Sequence, residues 1–256
     1  FYVGGRLFRN TGGLVFADVT AQVGLPGTFD EGIKFLDWNN DGRIDLVIHH
    51  PTTGPVVWQN DGAQFNRRDL TPTYLNADIF GINAADLNGD GREDLVVSGG
   101  LYTTPYVLLN TGARFERNPV SLLEEVVFGP VVAHDFDGDG RTDLLFQSRP
   151  GRVAYNISPD VNRATIVVEV VDAAGRRNQF GRVVRITPSA TSGVTMTRVV
   201  DGGSGMLAQG AYPLTVHTPW AGNHRVEVRY ATGVVAFDAA PGARLRVFPD
   251  GHVEAF

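Results

Sequence analysis

Short apolar runs separated by turn residues recur along the first part of the chain. Three of them are continuous, at 46–48, 95–97 and 144–146, and read Leu-Val-Ile, Leu-Val-Val and Leu-Leu-Phe. Continuous apolar runs of this length predict strands that are buried on both faces. The first two are followed by a second strand-like run, PVVWQN and PYVLLN, that ends at an Asn-x-Gly turn. The pattern predicts about four short strands in every ~50 residues.

The same pattern returns with a fixed period. An acidic segment returns every 49 residues, and an Asn-x-Gly turn that leads to Phe returns every 50 residues. The acidic segments are DWNNDGRIDLVI from Asp37, DLNGDGREDLVV from Asp86 and DFDGDGRTDLLF from Asp135, and the turns begin at Asn10, Asn60 and Asn110. Two markers in step indicate internal repeats, and a period near 50 residues with this strand content predicts propeller blades.

Alternating apolar and polar positions continue beyond the repeats. They lie at 165–171, 182–187, 224–230 and 244–248 and predict the strands of a second, small β-rich unit. The predicted fold class is therefore all-β. We expect a partial β-propeller of about three and a half blades at 1–160 and a small all-β domain at 161–256.

Each acidic segment has the composition of a calcium loop. Oxygen side chains at loop positions 1, 3, 5 and 9, with a backbone carbonyl at position 7, can surround one hard cation. Position 6 is glycine in all three loops, where a sharp turn favours positive φ. The predicted metal ligands are Asp37, Asn39, Asp41, Arg43 and Asp45 in the first loop, Asp86, Asn88, Asp90, Arg92 and Asp94 in the second, and Asp135, Asp137, Asp139, Arg141 and Asp143 in the third, with each arginine contributing its carbonyl.

The loops differ from an EF-hand, which closes with a bidentate Glu at position 12 and is flanked by helices. Position 12 here is Ile48, Val97 or Phe146, so each loop closes at position 9 and continues into a strand. The third loop has four carboxylates and is predicted to bind Ca²⁺ most tightly. Mg²⁺ is disfavoured because it rarely uses an all-protein cage. The alternative is a metal-free loop in which each Asp accepts hydrogen bonds from nearby backbone N–H groups.

These motifs resemble the FG-GAP or VCBS-type repeats of integrin α-chain propellers and of many bacterial secreted proteins. The resemblance rests on the acidic loops and on the Phe-Gly pairs at 80–81 and 128–129, of which the first unit keeps only Gly32. It implies that each loop binds Ca²⁺ between neighbouring strands of a blade. It also implies a ring that usually closes with about seven blades, and a location that is extracellular, periplasmic or at the cell surface.

The segment from about Asn162 resembles the ASPIC/UnbV domain that often follows such repeats. The similar stretches are NRATIVVEVVDAAGRRNQFGRVVRI, RVVDGGSGMLAQG and HRVEVRYATGVVAFDAAPGARLRV. The resemblance implies an extracellular β module.

Composition excludes several classes of function. The formal charge of −6 argues against a nucleic-acid surface, and no apolar run approaches the ~18 residues of a membrane span. No acid, base or nucleophile cluster lies outside the acidic loops, so an enzyme is not expected. We expect a calcium-stabilised extracellular binding, adhesion or assembly module with a protein or carbohydrate partner. The alternatives are a lectin-like propeller and a structural component of a surface or filament assembly.

The repeat is cut at the start of the sequence. Counting back 49 residues from Asp37 places another acidic loop before the first residue. A closed propeller typically has four to eight blades. We therefore expect further blades, either from upstream chain or from another subunit.

Overall fold

The computed structural model describes residues 2–27, 32–50, 53–71, 81–98, 104–118, 131–146, 152–154, 164–177, 179–189, 194–201 and 213–256. Within these ranges every regular element is a β-strand, and no helix is long and apolar enough to cross a membrane. The all-β prediction is confirmed.

The first 14 strands form four antiparallel sheets. The first sheet contains β1 (Tyr2–Val3), β2 (Arg6–Gly12) and β3 (Val15–Asp18). The second contains β4 (Gly32–Leu36), β5 (Asp45–His50), β6 (Gly54–Asn60) and β7 (Phe65–Arg68). The third contains β8 (Gly81–Ala85), β9 (Asp94–Ser98), β10 (Tyr106–Asn110) and β11 (Phe115–Arg117), and the fourth contains β12 (Val131–His134), β13 (Asp143–Phe146) and β14 (Arg152–Ala154).

Each of these sheets joins its strands in chain order, as propeller blades do. Two sheets have four strands and two have three among the described residues, which agrees with a partial propeller of about three and a half blades.

The continuous apolar runs are buried between blades. On β5, Leu46 and Ile48 pack toward the first blade, whereas Val47 belongs to the cluster that contains Ile82 of the third blade. On β9, Val96 packs in turn with the fourth blade. Side chains alternate across a strand, so a central strand with an apolar neighbour on both sides has no polar positions in its run.

The remaining eight strands form two four-stranded sheets. One has the order β18-β15-β21-β22 and the other β17-β16-β19-β20. The strands are β15 (Ala164–Val170), β16 (Val183–Pro188), β17 (Met196–Val199), β18 (Leu214–Thr218), β19 (His224–Tyr230), β20 (Gly233–Ala239), β21 (Arg244–Val247) and β22 (Val253–Ala255). We call this pair of sheets the C-terminal sandwich.

One apolar cluster fills the C-terminal sandwich. It takes side chains from both sheets, among them Ile166 and Val168 of β15 and Val226 and Val228 of β19. The strand β19 shows the alternation that predicted it, with buried positions separated by exposed or half-buried ones. The four alternating runs in the sequence correspond to β15, β16, β19 and β21.

Candidate functional site: the acidic loops

The second, third and fourth blades each contain one acidic loop, which connects the first two strands of the blade. Loop 1 (37–45), loop 2 (86–94) and loop 3 (135–143) follow β4, β8 and β12. The residue at position 9 pairs across the sheet with the residue just before position 1, as in Leu36 with Asp45 and His134 with Asp143. The strand pair therefore brings the two ends of each loop together.

The carboxylate of the aspartate at position 1 accepts hydrogen bonds from backbone N–H groups of its own loop. In loop 1, Asp37 accepts hydrogen bonds from the backbone N–H groups of Asp41 (3.0 Å) and Gly42 (2.9 Å). Asp86 and Asp135 make the corresponding bonds to the position-6 glycines at 2.7 and 3.0 Å. These glycines have φ between +85° and +86°, which confirms the predicted reason for glycine at position 6.

The aspartate at position 9 ties the loop to the Asn-x-Gly turn. Asp45 accepts from the N–H groups of Trp38 (3.1 Å) and Asn60 (2.7 Å). Asp94 likewise accepts from Leu87 (3.0 Å) and Asn110 (2.7 Å). The acidic loop and the Asn-x-Gly turn are both visible in the sequence, and their almost constant separation is the signal for this link, which was not predicted.

The arginine at position 7 does more than offer a carbonyl. Its guanidinium pairs with the position-5 carboxylate of the same loop, at 2.9 Å for Arg43 and Asp41. Arg92 pairs with Asp90, and Arg141 with Asp139, in the same way. The hydrogen bond from Arg141 lowers the pKa of Asp139. The loop pattern predicts only a role for the backbone carbonyl at this position, and not these ion pairs.

Burial makes several loop carboxylates costly to ionise. It raises the pKa of Asp37 to about 6 and that of Asp45 to about 7. It also raises the pKa of Asp86, and that of Asp94 well above the usual range. A carboxylate taken out of water needs a positive partner to remain charged, and a divalent cation at the centre of the loop would supply one. The all-oxygen donor set fits Ca²⁺.

Loop 3 brings its carboxylates closest together. Ligand oxygens of Asp135, Asp137 and Asp143 lie within 4.8 Å of one another, and this is the one such acidic group among the residues that the structure describes. Asp139, also predicted as a ligand, turns to Arg141. One acidic cluster could therefore hold a metal ion.

Loops 1 and 2 replace the position-3 carboxylate by an amide. The side-chain NH₂ groups of Asn39 and Asn88 donate to the position-5 aspartates at 3.0 and 3.2 Å. Their amide oxygens accept the backbone N–H of the same aspartates. A metal-free loop would contain the same hydrogen bonds. They do not exclude a cation, because a carboxylate oxygen has a second lone pair and can accept an N–H while it contacts a cation.

The C-terminal sandwich contacts all three loops. Arg185 donates to the carbonyl of Gly42 (3.1 Å), and Arg198 donates to that of Gly91 (3.2 Å). The Nε2 atom of His217 lies 3.0 Å from the carbonyl oxygen of Gly140. The residues involved lie far apart in the sequence, and no local pattern predicts such contacts.

Comparison with known proteins agrees with the repeat. Residues 37–97, which include loops 1 and 2, match the FG-GAP-like repeat family. Phosphatidylinositol-glycan-specific phospholipase D from Rattus norvegicus is 33% identical over 87 residues, which is 28% of this chain and 10% of that protein.

Longer similarity is found to cartilage acidic protein 1. The Xenopus tropicalis protein is 24% identical over 224 residues and the Homo sapiens protein 26% identical over 231 residues. Both matches cover 79% of this chain. Residues 1–160 make up less than two thirds of the 256 residues, so a match of that extent must include part of the C-terminal sandwich. The chain spans about a third of the length of these relatives (34% and 33%), and over that part it is similar to cartilage acidic protein 1.

Proposed function

We propose that this chain is a calcium-stabilised β-propeller segment that serves as an extracellular binding or assembly module. The observation that carries the proposal is the cluster of Asp135, Asp137 and Asp143 in loop 3, built on the same backbone cradle that loops 1 and 2 repeat. A turn alone does not require three converging carboxylates.

In this proposal each loop holds one Ca²⁺. The oxygens at positions 1, 3, 5 and 9, together with the carbonyl of the position-7 arginine, form the ligand set in all three loops. Calcium supplies positive charge at the centre of each loop, which offsets the cost of burying ionised carboxylates, and its binding energy adds to the folding energy. Loop 3, with four carboxylates, binds most tightly because affinity rises with ligand charge.

The ions are structural in this proposal. Extracellular calcium modules bind at about 10⁻⁴ to 10⁻³ M, which matches calcium outside the cell. The FG-GAP-like match and the similarity to cartilage acidic protein 1 support an extracellular location. We take residues 1–160 as the propeller segment and 161–256 as a separate β domain.

The partner is a protein in the leading form of the proposal, and the molecule acts by binding rather than by catalysis. A carbohydrate partner is the second candidate, since lectins occur among similar repeat propellers. A glycan array separates the two. The similarity to a phospholipase is confined to 28% of this chain and does not extend an enzymatic activity to it.

Calorimetric titration with Ca²⁺ tests the metal sites. We expect the wild-type chain to bind Ca²⁺, and Asp137→Asn to lose the tightest site because loop 3 then has the ligand charge of loops 1 and 2. The matched control is Asp238→Asn, an exposed aspartate on β20 of the C-terminal sandwich. Absence of calcium binding would sink the proposal, and an unchanged tightest site in Asp137→Asn would overturn the ranking of loop 3.

A further inference from the structure

The three contacts between the C-terminal sandwich and the loops share one kind of acceptor. In each, a cationic or N–H-bearing side chain reaches the carbonyl of the position-6 glycine. The pairs are Arg185 with Gly42, Arg198 with Gly91, and His217 with Gly140. Three strands of the sandwich, β16, β17 and β18, supply these side chains. The sandwich therefore contacts the equivalent atom in three successive repeats.

The peptide group that carries each carbonyl is also held from inside the loop. Its N–H belongs to the position-7 arginine and donates to the position-5 carboxylate. The distances are 2.9 Å from Arg43 to Asp41, 2.9 Å from Arg92 to Asp90, and 2.8 Å from Arg141 to Asp139. One peptide group in each loop is thus fixed by a predicted metal ligand on one side and by the sandwich on the other.

The loops and the sandwich are in close contact. A Cβ atom on Gly91 would lie 3.1 Å from Cδ of Pro219 and 3.3 Å from Sδ of Met196. In loop 1, Asp41 forms a parallel β-bridge with Thr195. Small displacements of a loop would therefore disturb the interface, because packed surfaces tolerate little change in shape.

Buried charges lie at the same interface. Lys34 of β4 pairs with Asp201 (2.8 Å), and Glu93 of loop 2 pairs with Arg198 (3.7 Å). A cavity of about 90 Å³ lies beside them, lined by these four residues and by Asp86 and Asp135. Because Asp86 and Asp135 are also predicted ligands, the charge of the interface depends on whether the loops carry a cation.

We propose that calcium binding by the three acidic loops controls the docking of the C-terminal sandwich onto the blades. This inference rests on the calcium sites of the proposed function. A bound ion fixes the position-5 carboxylate, and this carboxylate orients the peptide group whose carbonyl meets the sandwich. Without the ion the acidic side chains repel one another, the three carbonyls are no longer held toward the sandwich, and the sandwich is released.

Distance measurement between two spin labels tests the coupling in the full chain. The chain has no cysteine, so Ala113→Cys in an exposed blade turn and Thr232→Cys in an exposed turn of the sandwich give two specific labelling sites. We expect one narrow distance distribution with saturating Ca²⁺ and a broad one with excess EDTA. A narrow distribution in both conditions overturns the inference.

A variant weakens docking without removing a calcium ligand. Arg185→Ala removes one contact from the sandwich side, so we expect it still to bind Ca²⁺, with lower affinity because docking and binding are coupled, and to show a broader distribution in Ca²⁺. Arg229→Ala, an exposed arginine on β19, is the matched control and should behave as the wild type. An Arg185→Ala distribution as narrow as that of the control counts against the proposed contact.

Calorimetry on the same samples distinguishes the two proposals. If Ca²⁺ binds and the distances do not respond, the docking inference fails and the calcium sites stand. If no Ca²⁺ binds, both fail.

Discussion

At the scale of single residues, two separate factors favour glycine at position 6 of the loops: the backbone conformation and the packing around it. Gly42 and Gly91 have nearly the same positive φ, +86° and +85°, which a side chain adopts only with strain. Their surroundings differ, because a Cβ atom on Gly42 would meet nothing within 4 Å, whereas one on Gly91 would meet Pro219 and Met196. The sequence predicts the first factor from the loop pattern. It cannot predict the second, which comes from Met196 of β17 and from Pro219 just after β18, both more than a hundred residues away.

This difference gives a matched pair of substitutions. Gly42→Ala should lower the free energy of unfolding by about 1 to 2 kcal/mol, the cost of left-handed backbone for a residue with a side chain. Gly91→Ala should cost more, because it adds the overlap with Pro219 and Met196 to the same strain. Urea unfolding in saturating Ca²⁺, the condition in which we expect the sandwich to be docked, measures both. Equal losses would contradict the packing of the sandwich against loop 2.

At the scale of the strands, the acidic loop and the Asn-x-Gly turn form one hydrogen-bonded unit. Asn110 is buried and donates from its side chain to the carbonyls of Trp38 (2.7 Å) and Glu93 (3.2 Å). Its oxygen accepts the N–H of Gly112 at 2.9 Å. Trp38 lies in loop 1 of the neighbouring blade, so this turn residue connects two blades.

Replacement of this residue tests the connection. Asn110→Ala should lower the free energy of unfolding by about 3 kcal/mol, since it leaves buried carbonyl groups without a donor. The matched control is Asn10→Ala, at the same place in the first repeat. Asn10 is exposed and accepts from Gly12 at 2.8 Å, so its loss should cost about 0.5 kcal/mol. Chemical denaturation of both variants measures the difference, and similar costs would refute the inter-blade role of Asn110.

Strand prediction from sequence worked where the pattern was local. The runs at 46–48 and 95–97 indicated strands buried on both faces, and β5 and β9 contain them. The sandwich strands β17 and β20 were not found by alternation, because β17 has three buried positions in succession and β20 is largely exposed. Their pairing partners β16 and β19, rather than their own patterns, determine their conformation.

At the scale of the whole molecule, the repeat and the sandwich meet at the acidic loops. The sequence predicted the repeats and the composition of the loops, since both depend on spacing along the chain. It did not predict that Arg185, Arg198 and His217 would reach three equivalent carbonyls, because contacts between distant segments leave no periodic pattern. A cation in the loops would stabilise the three blades that carry a loop, at the ends of their strands, and would stabilise the interface with the sandwich.

Thermal unfolding of the full chain tests the central claim, that calcium in the acidic loops stabilises the fold. We expect the melting temperature to rise with Ca²⁺ until the sites are full, since each site adds about 2.7 kcal/mol when free calcium is about 100 times Kd. Mg²⁺ at the same concentration should have a much smaller effect. A melting temperature that is the same in saturating Ca²⁺ and in excess EDTA would contradict the claim.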